Sequence, residues 1–298
     1  MAERFGGVHT IMPTPFTSAG ELDLDSLESL TDFLIGLGVD GLVVLGVMGE
    51  APKLAEEEQE AVIATTVKAA HGRVPVFAGT GAAGTDLAIK KSRRALELGA
   101  AGLLLAPPPV QMDAVIFEYY RRLDEAVSGP IILHDFPPAT QVLLSPELVA
   151  RLHAELARVR VIKLEDPPTA PKVSAIRGLG SEIGIVGGLG GLYYLEELDR
   201  GADGMMTGFA YPDILVAIQR AWKAGRRAEA ERIFFAACAV MRFEFQPGIG
   251  LALRKEIYRR RGAIKAAFVR HPGPQLDEQL GRELDRVLAA SELAGVAA

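Results

Sequence analysis

Short, continuous apolar runs recur along the chain, with stretches of helical period between them. The runs begin near Val8 (VHTIM), Leu42 (LVVLG), Pro75 (PVFAG), Gly102 (GLLLA), Pro130 (PIILH), Val159 (VRVIK), Ile183 (IGIVG) and Gly204 (GMMTG). Successive starts lie 21 to 34 residues apart, enough for a strand, a helix and two short loops. The runs do not alternate apolar with polar residues. Unbroken apolar strands are the mark of parallel strands covered on both faces.

The intervening segments read as helices. Asp25–Gly36 carries Leu27, Leu30, Phe33 and Leu34 at helical spacing. Glu56–His71 opens with three glutamates, which suit the positive end of a helix. Ala83–Leu98 stops before Gly99, a suitable C′ glycine. Further helices are predicted at Asp113–Val127, Ser145–Glu155 and Thr169–Arg177, the second with Ser145 as N-cap and Pro146 at the first helical position. Eight such units predict a closed (β/α)8 barrel of the α/β class, a TIM barrel. An open doubly wound sheet is the alternative, and its dinucleotide-binding form is weakened because no G-x-G-x-x-G follows the first strand.

After Gly208 the strand signals stop. Asp213–Lys223, Ala228–Phe243, Gly248–Arg261 and Gln275–Ala290 all look helical, separated by Gly225, Pro247-Gly248 and His271-Pro272-Gly273-Pro274. One completes the barrel and three form a C-terminal appendage. The expected division is a barrel catalytic domain over 1–224 and a helical appendage over 225–298.

Composition narrows the class. Apolar residues make up 49% and charged residues 23%, the balance of a soluble globular chain with a large core. A formal net charge of −6 offers no general basic surface for nucleic acid, and Arg259, Arg260 and Arg261 read as a solvated helix end. A lone cysteine, Cys238, builds neither a disulfide framework nor a cysteine zinc site. No signal peptide and no apolar run of membrane length is apparent, so a cytoplasmic location with no membrane partner is expected.

In barrels of this kind chemistry sits at the C-terminal ends of the strands. The second run is followed by Gly46-Val47-Met48-Gly49-Glu50, and the fifth ends in His134-Asp135. The sixth ends in Lys163 with Leu164-Glu165-Asp166 after it, and the seventh in Gly187-Gly188. Lys163 is the only lysine inside a predicted strand. Flanked by Val161, Ile162 and Leu164, it should be partly desolvated, which favours the neutral amine that attacks carbonyls. Its other reading is a lysine paired with Glu165 or Asp166 at the rim. His134 is the only histidine ending a predicted strand, and it suits proton transfer beside such a lysine, with Asp135 to orient it. Its other reading is a rim histidine bonded to backbone. The Gly46–Glu50 loop allows close backbone approach to a carboxylate. Gly187-Gly188 and Thr207-Gly208 raise a rival, since barrels often hold phosphate after strands seven and eight. The five histidines are dispersed, and no metal constellation and no cofactor is expected.

These residues together resemble the dihydrodipicolinate synthase/N-acetylneuraminate lyase superfamily of class I aldolases. The resemblance spans nearly the whole chain. It rests on Thr14-Pro15-Phe16, Gly46-x-x-Gly49-Glu50, Pro137 after the fifth strand, Ile162-Lys163 and Gly188, in order and at matching spacing. It implies that Lys163 forms a Schiff base with a 2-oxo acid and that the chain is a tetramer built from dimers. The departures are specific. Val47 and Met48 stand where the family has two threonines, His134 stands for its tyrosine and Asp135 for its asparagine. Pro107–Pro109 lack the synthase's partner tyrosine, and Ala139 replaces its arginine. Leu189 and Gly190 replace the sialic-acid lyase's acidic residues.

The expectation is therefore a lyase, aldolase or dehydratase, acting on pyruvate or a 2-keto-3-deoxy sugar acid. Lys163 and His134 are the expected catalytic residues, with Gly46, Val47, Met48, Gly49, Gly188 and Met206 holding substrate. The alternatives are a phosphate-binding barrel enzyme without covalent intermediate, and a keto-acid-binding protein without catalysis.

Overall fold

A computed structural model describes residues 5–291. The strands β1 (Gly7–Ile11), β2 (Gly41–Val44), β3 (Val76–Gly79), β4 (Gly102–Leu105), β5 (Ile131–Asp135), β6 (Val159–Leu164), β7 (Gly184–Gly187) and β8 (Gly204–Thr207) close in sequence order into a barrel. Every pairing, including β8 back to β1, is parallel. The open-sheet alternative is thereby excluded.

Helices α1 (Leu24–Gly36), α2 (Glu56–Ala70), α3 (Thr85–Glu97) and α4 (Asp113–Ala126) follow the first four strands. A four-residue turn of helix, α5 (Pro137–Thr140), precedes α6 (Pro146–Glu155), and α7 (Thr169–Gly178) follows β6. The Ser145 side chain accepts the Leu148 N–H at 3.1 Å, so the predicted cap is formed. Between β7 and β8 lies a short helix, α8 (Tyr194–Asp199), that the periodicity did not predict. Six residues are too few to display an amphipathic period. The remaining helices are α9 (Pro212–Lys223), α10 (Arg227–Glu244), α11 (Gly250–Arg260) and α12 (Glu278–Ala290).

Alternation of side chains along each strand sorts the residues into two cores. Ile11, Val43, Phe77, Leu104, Ile132, Val161, Val186 and Met206, one from each strand, fill the barrel interior. Their neighbours, such as Leu133, Ile162 and Leu164, pack outward under the helices. This two-residue period places Lys163 and His134. Lys163 stands two residues beyond Val161 and His134 two beyond Ile132, so both point into the mouth of the lumen. The β5–β6 register sets them side by side.

The helices after Lys223 are tied to the barrel by buried charge. Glu50 ends the β2 loop and is 3% exposed. It accepts from Lys255 of α11 at 2.6 Å, from Lys53 at 2.8 Å and from the Arg270 N–H at 3.1 Å. The Lys255 ammonium also lies 4.5 Å from the Phe16 ring centre. Burial lowers the Lys255 pKa to about 8 despite the opposing pull of Glu50. Among the described residues, no helix is long and apolar enough to cross a membrane.

Candidate active site

Three side chains meet at the C-terminal ends of β5 and β6. Lys163 Nζ lies 2.5 Å from Glu165 Oε2 and 3.2 Å from His134 Nε2. His134 Nε2 in turn lies 2.9 Å from the same Glu165 oxygen. Glu165 follows Lys163 by two residues and so shares its face. Its other oxygen, Oε1, accepts the Leu189 N–H at 2.8 Å. All three side chains are buried. The His134 ring also stacks on Phe136 at 5.8 Å.

Burial pushes the Glu165 carboxyl upward, but the Lys163 charge and the hydrogen bonds from His134 and Lys163 outweigh it. The pKa is held at about 2. Burial lowers the His134 pKa, and the Lys163 charge lowers it further against the pull of Glu165. The cluster at neutral pH is thus an ionised carboxylate, a neutral imidazole and a lysine. The carboxylate is the counter-charge for any cation formed at Nζ, and the imidazole can accept or return a proton.

Asp135 does not orient His134. It faces the other side of β5, where its Oδ2 accepts from Lys172 of α7 at 2.7 Å. The period of two dictates this, because adjacent strand residues point to opposite faces. Burial raises the Asp135 pKa to about 6 against the pull of Lys172. The orienting carboxylate is Glu165, which the sequence reading held only as a rim partner of the lysine. Its signal was its position two residues after Lys163.

The loop after β2 forms a tight turn over Val47–Gly49. Leu45 and Glu50 flank it in the left-handed region, at φ 58° and 54°. Such strain in non-glycine residues clusters at functional loops. Thr14 Oγ1 donates to the Gly49 carbonyl at 2.7 Å and pins the turn to the segment after β1. Among the described residues, no backbone bond occupies the N–H groups of Val47 and Met48. A cavity of about 670 Å³ opens here, lined by Gly46, Val47, Leu104, Ala106, His134 and Ala139 among others. Lys163 does not line it; its Nζ is held against His134, which does.

Met48 accepts a 3.0 Å contact from Arg254 Nη1 at its sulfur, and Met206 belongs to the apolar layer of the lumen. Gly188 makes room for the carboxylate, since a Cβ there would lie 2.3 Å from Glu165 Oε1. A Cβ on Gly187 would lie 1.8 Å from Glu197 Oε2. The ionised Glu165 carboxylate against Gly188 disfavours phosphate there by like-charge repulsion. Tyr194 is fully buried and bonded to Gln219, which is a packing role. Among the described residues, no group of three or more His, Cys, Asp or Glu could hold a metal ion.

The fold is that of a (β/α)8-barrel enzyme, and the cluster lies at the C-terminal mouth where such barrels carry their chemistry. The chain belongs to the dihydrodipicolinate synthetase family, whose sequence model matches residues 4–291. It is a lyase of that family. The L-2-keto-3-deoxyarabonate dehydratase of Azospirillum brasilense is 33% identical over 289 residues, 94% of this chain and 93% of its own. A crystal structure of dihydrodipicolinate synthase from Rhodopseudomonas palustris superposes with a TM-score of 0.91 at 36% identity, covering 96% and 97% of the two chains. A prophage protein of the same family from Escherichia coli K12, solved in complex with pyruvate, gives 0.89 at 27% identity over 96% and 98%.

Proposed function

We propose that this enzyme dehydrates a 2-keto-3-deoxy sugar acid through a Schiff base on Lys163. The observation that carries the reading is the buried Lys163–Glu165–His134 cluster. The neutral Lys163 amine attacks the C2 carbonyl, and loss of water leaves a protonated imine whose positive charge faces the Glu165 carboxylate. That charge acidifies the C3 proton. Glu165 is the base that removes it, giving an enamine. The enamine electrons expel the C4 hydroxyl as the neutral His134–Glu165 pair returns a proton to it, so water leaves. Loss of a C5 proton and return of one at C3 leave a C4–C5 enol, which collapses to the aldehyde as its hydroxyl proton passes to C4. Hydrolysis of the imine then frees a 2,5-dioxo acid and restores Lys163. The substrate carboxylate is taken by the N–H groups of Val47 and Met48, with Gly46 and Gly49 shaping the turn.

The names of the relatives support a substrate of this class, since one acts on 2-keto-3-deoxyarabonate and another was solved with pyruvate. The absence of a carboxylate-binding arginine at Ala139 favours it over a synthase reaction with a second acidic substrate. Residues 1–224 are the catalytic domain in this reading and 225–298 the appendage. The assembly is a cytoplasmic tetramer of two dimers, checked by sedimentation.

Borohydride reduction in the presence of pyruvate should add covalent mass to Lys163 and not to a Lys163→Ala variant. Turnover of a 2-keto-3-deoxy pentonate should release a dioxo acid with the carbon chain intact. Release of pyruvate and a two-carbon aldehyde would assign aldol cleavage instead. No adduct with any 2-oxo acid would overturn the Schiff-base reading.

A further inference from the structure

The end of β7 is thin. Gly187 and Gly188 carry no side chains, and a glutamate lies on each side of them: Glu165 over Gly188 from the lumen and Glu197 of α8 over Gly187 from the helix layer. Glu197 is 1% exposed. Its Oε1 accepts the Thr169 hydroxyl at 2.6 Å, and its Oε2 is buried with no hydrogen-bond partner. One donor for two oxygens is poor solvation for a buried carboxylate. Among the described residues, no lysine or arginine pairs with it.

We propose that Glu197 is a positioning residue for the reaction: an uncharged carboxyl behind β7 that leaves Glu165 the only negative charge beside Lys163. The proposal rests on the Schiff-base reading above. Burial raises the Glu197 pKa to about 8, against the pull of Thr169 and helped by the charges of Glu165 and Glu196. The groups that face it are Thr169 from α7, Glu165 across the strand, and Glu196 and Tyr194 on its own helix. From α10, Cys238 lies within the field of Glu196, and β8 contributes apolar Met205.

The consequence has a definite sign. Ionising Glu197 places a second negative charge near the cluster. That charge favours the Lys163 ammonium over the free amine, and the free amine is the species that attacks. Glu197 ionisation therefore slows the attack, and the slowing grows as pH rises through the Glu197 range.

The test is the pH dependence of borohydride trapping with pyruvate, from pH 6 to 10. Glu197→Gln keeps the shape and the Thr169 acceptor but cannot ionise. Its trapping rate should match that of the unaltered chain near pH 6.5 and exceed it by about fivefold at pH 9. Thr169→Val gives a second reading. It removes the bond that favours the ionised form, so the pH at which the two profiles part should rise. Adduct formation with superimposed profiles in both variants would overturn this proposal alone. No adduct on the unaltered chain at any pH would overturn the Schiff-base reading and this proposal with it.

Discussion

The surroundings of Lys163 are set by where its neighbours point. Apolar flanks alone would bury an amine without giving it a task. Glu165 supplies the counter-charge 2.5 Å from Nζ, and His134 sits within 3.2 Å as a neutral base. In the proposed reaction, attack needs only the amine, whereas breaking the C3–H bond needs the carboxylate. Glu165→Gln should therefore still be trapped by borohydride while kcat falls by about 10²- to 10⁴-fold. Mass spectrometry of the reduced adduct and steady-state turnover measure the two separately. Lys163 was legible in the sequence as a lysine inside an apolar strand. The sequence offers Glu165, beside Asp166, only as an alternative rim partner of the lysine, and offers Asp135 as the group that orients His134. The strand period separates the two, because Glu165 lies on the lysine's face and Asp135 on the face opposite to His134.

At the scale of elements, the helices that announced themselves did so through caps and apolar stripes. Ser145 before Pro146 is one such signal, and its hydroxyl holds the Leu148 N–H. Ser145→Ala should cost about 1 kcal/mol of stability in denaturant unfolding and leave turnover unchanged. Helix α8 gave no such signal, yet it carries Glu197 to the back of β7. The link between α11 and the β2 loop was also silent, because 205 residues separate Lys255 from Glu50. Removing the cation leaves a buried carboxylate with fewer donors. Lys255→Met should cost about 3–5 kcal/mol by the same unfolding measurement. It should also loosen the turn proposed to hold the substrate carboxylate, seen as a raised KM.

At the scale of the whole molecule, buried acids set how stability follows pH. Burial raises Glu197 to about 8 and Glu244 to about 7, so both are protonated in the folded chain at pH 6 and ionised in the unfolded one. A raised carboxyl contributes stability that is present below its unfolded pKa of about 4.5 and is lost as pH climbs through the folded value. His9, lowered by burial to about 4, and His134, also lowered, act with the opposite sign, but only below about pH 6.5. Above that pH they are neutral in both states. The melting temperature should therefore fall between pH 6.5 and 8, and Glu197→Gln should flatten the fall. Differential scanning calorimetry across that range measures both.

The sequence by itself determined the barrel and the lysine. Eight unbroken apolar runs separated by helical stretches have few ways to bury their strands on both faces, and a lysine at the end of one run is displayed at the mouth. It did not determine which groups surround that lysine. His134 comes beside Lys163 through the β5–β6 register, and Gly188 is brought against Glu165 by the β6–β7 pairing. Glu197 and Lys255 take their states from burial, which depends on packing between segments far apart in the chain. Strand and helix periods are local and can be read along a sequence. Proximity, desolvation and charge state are collective, and here the tertiary structure alone decided them.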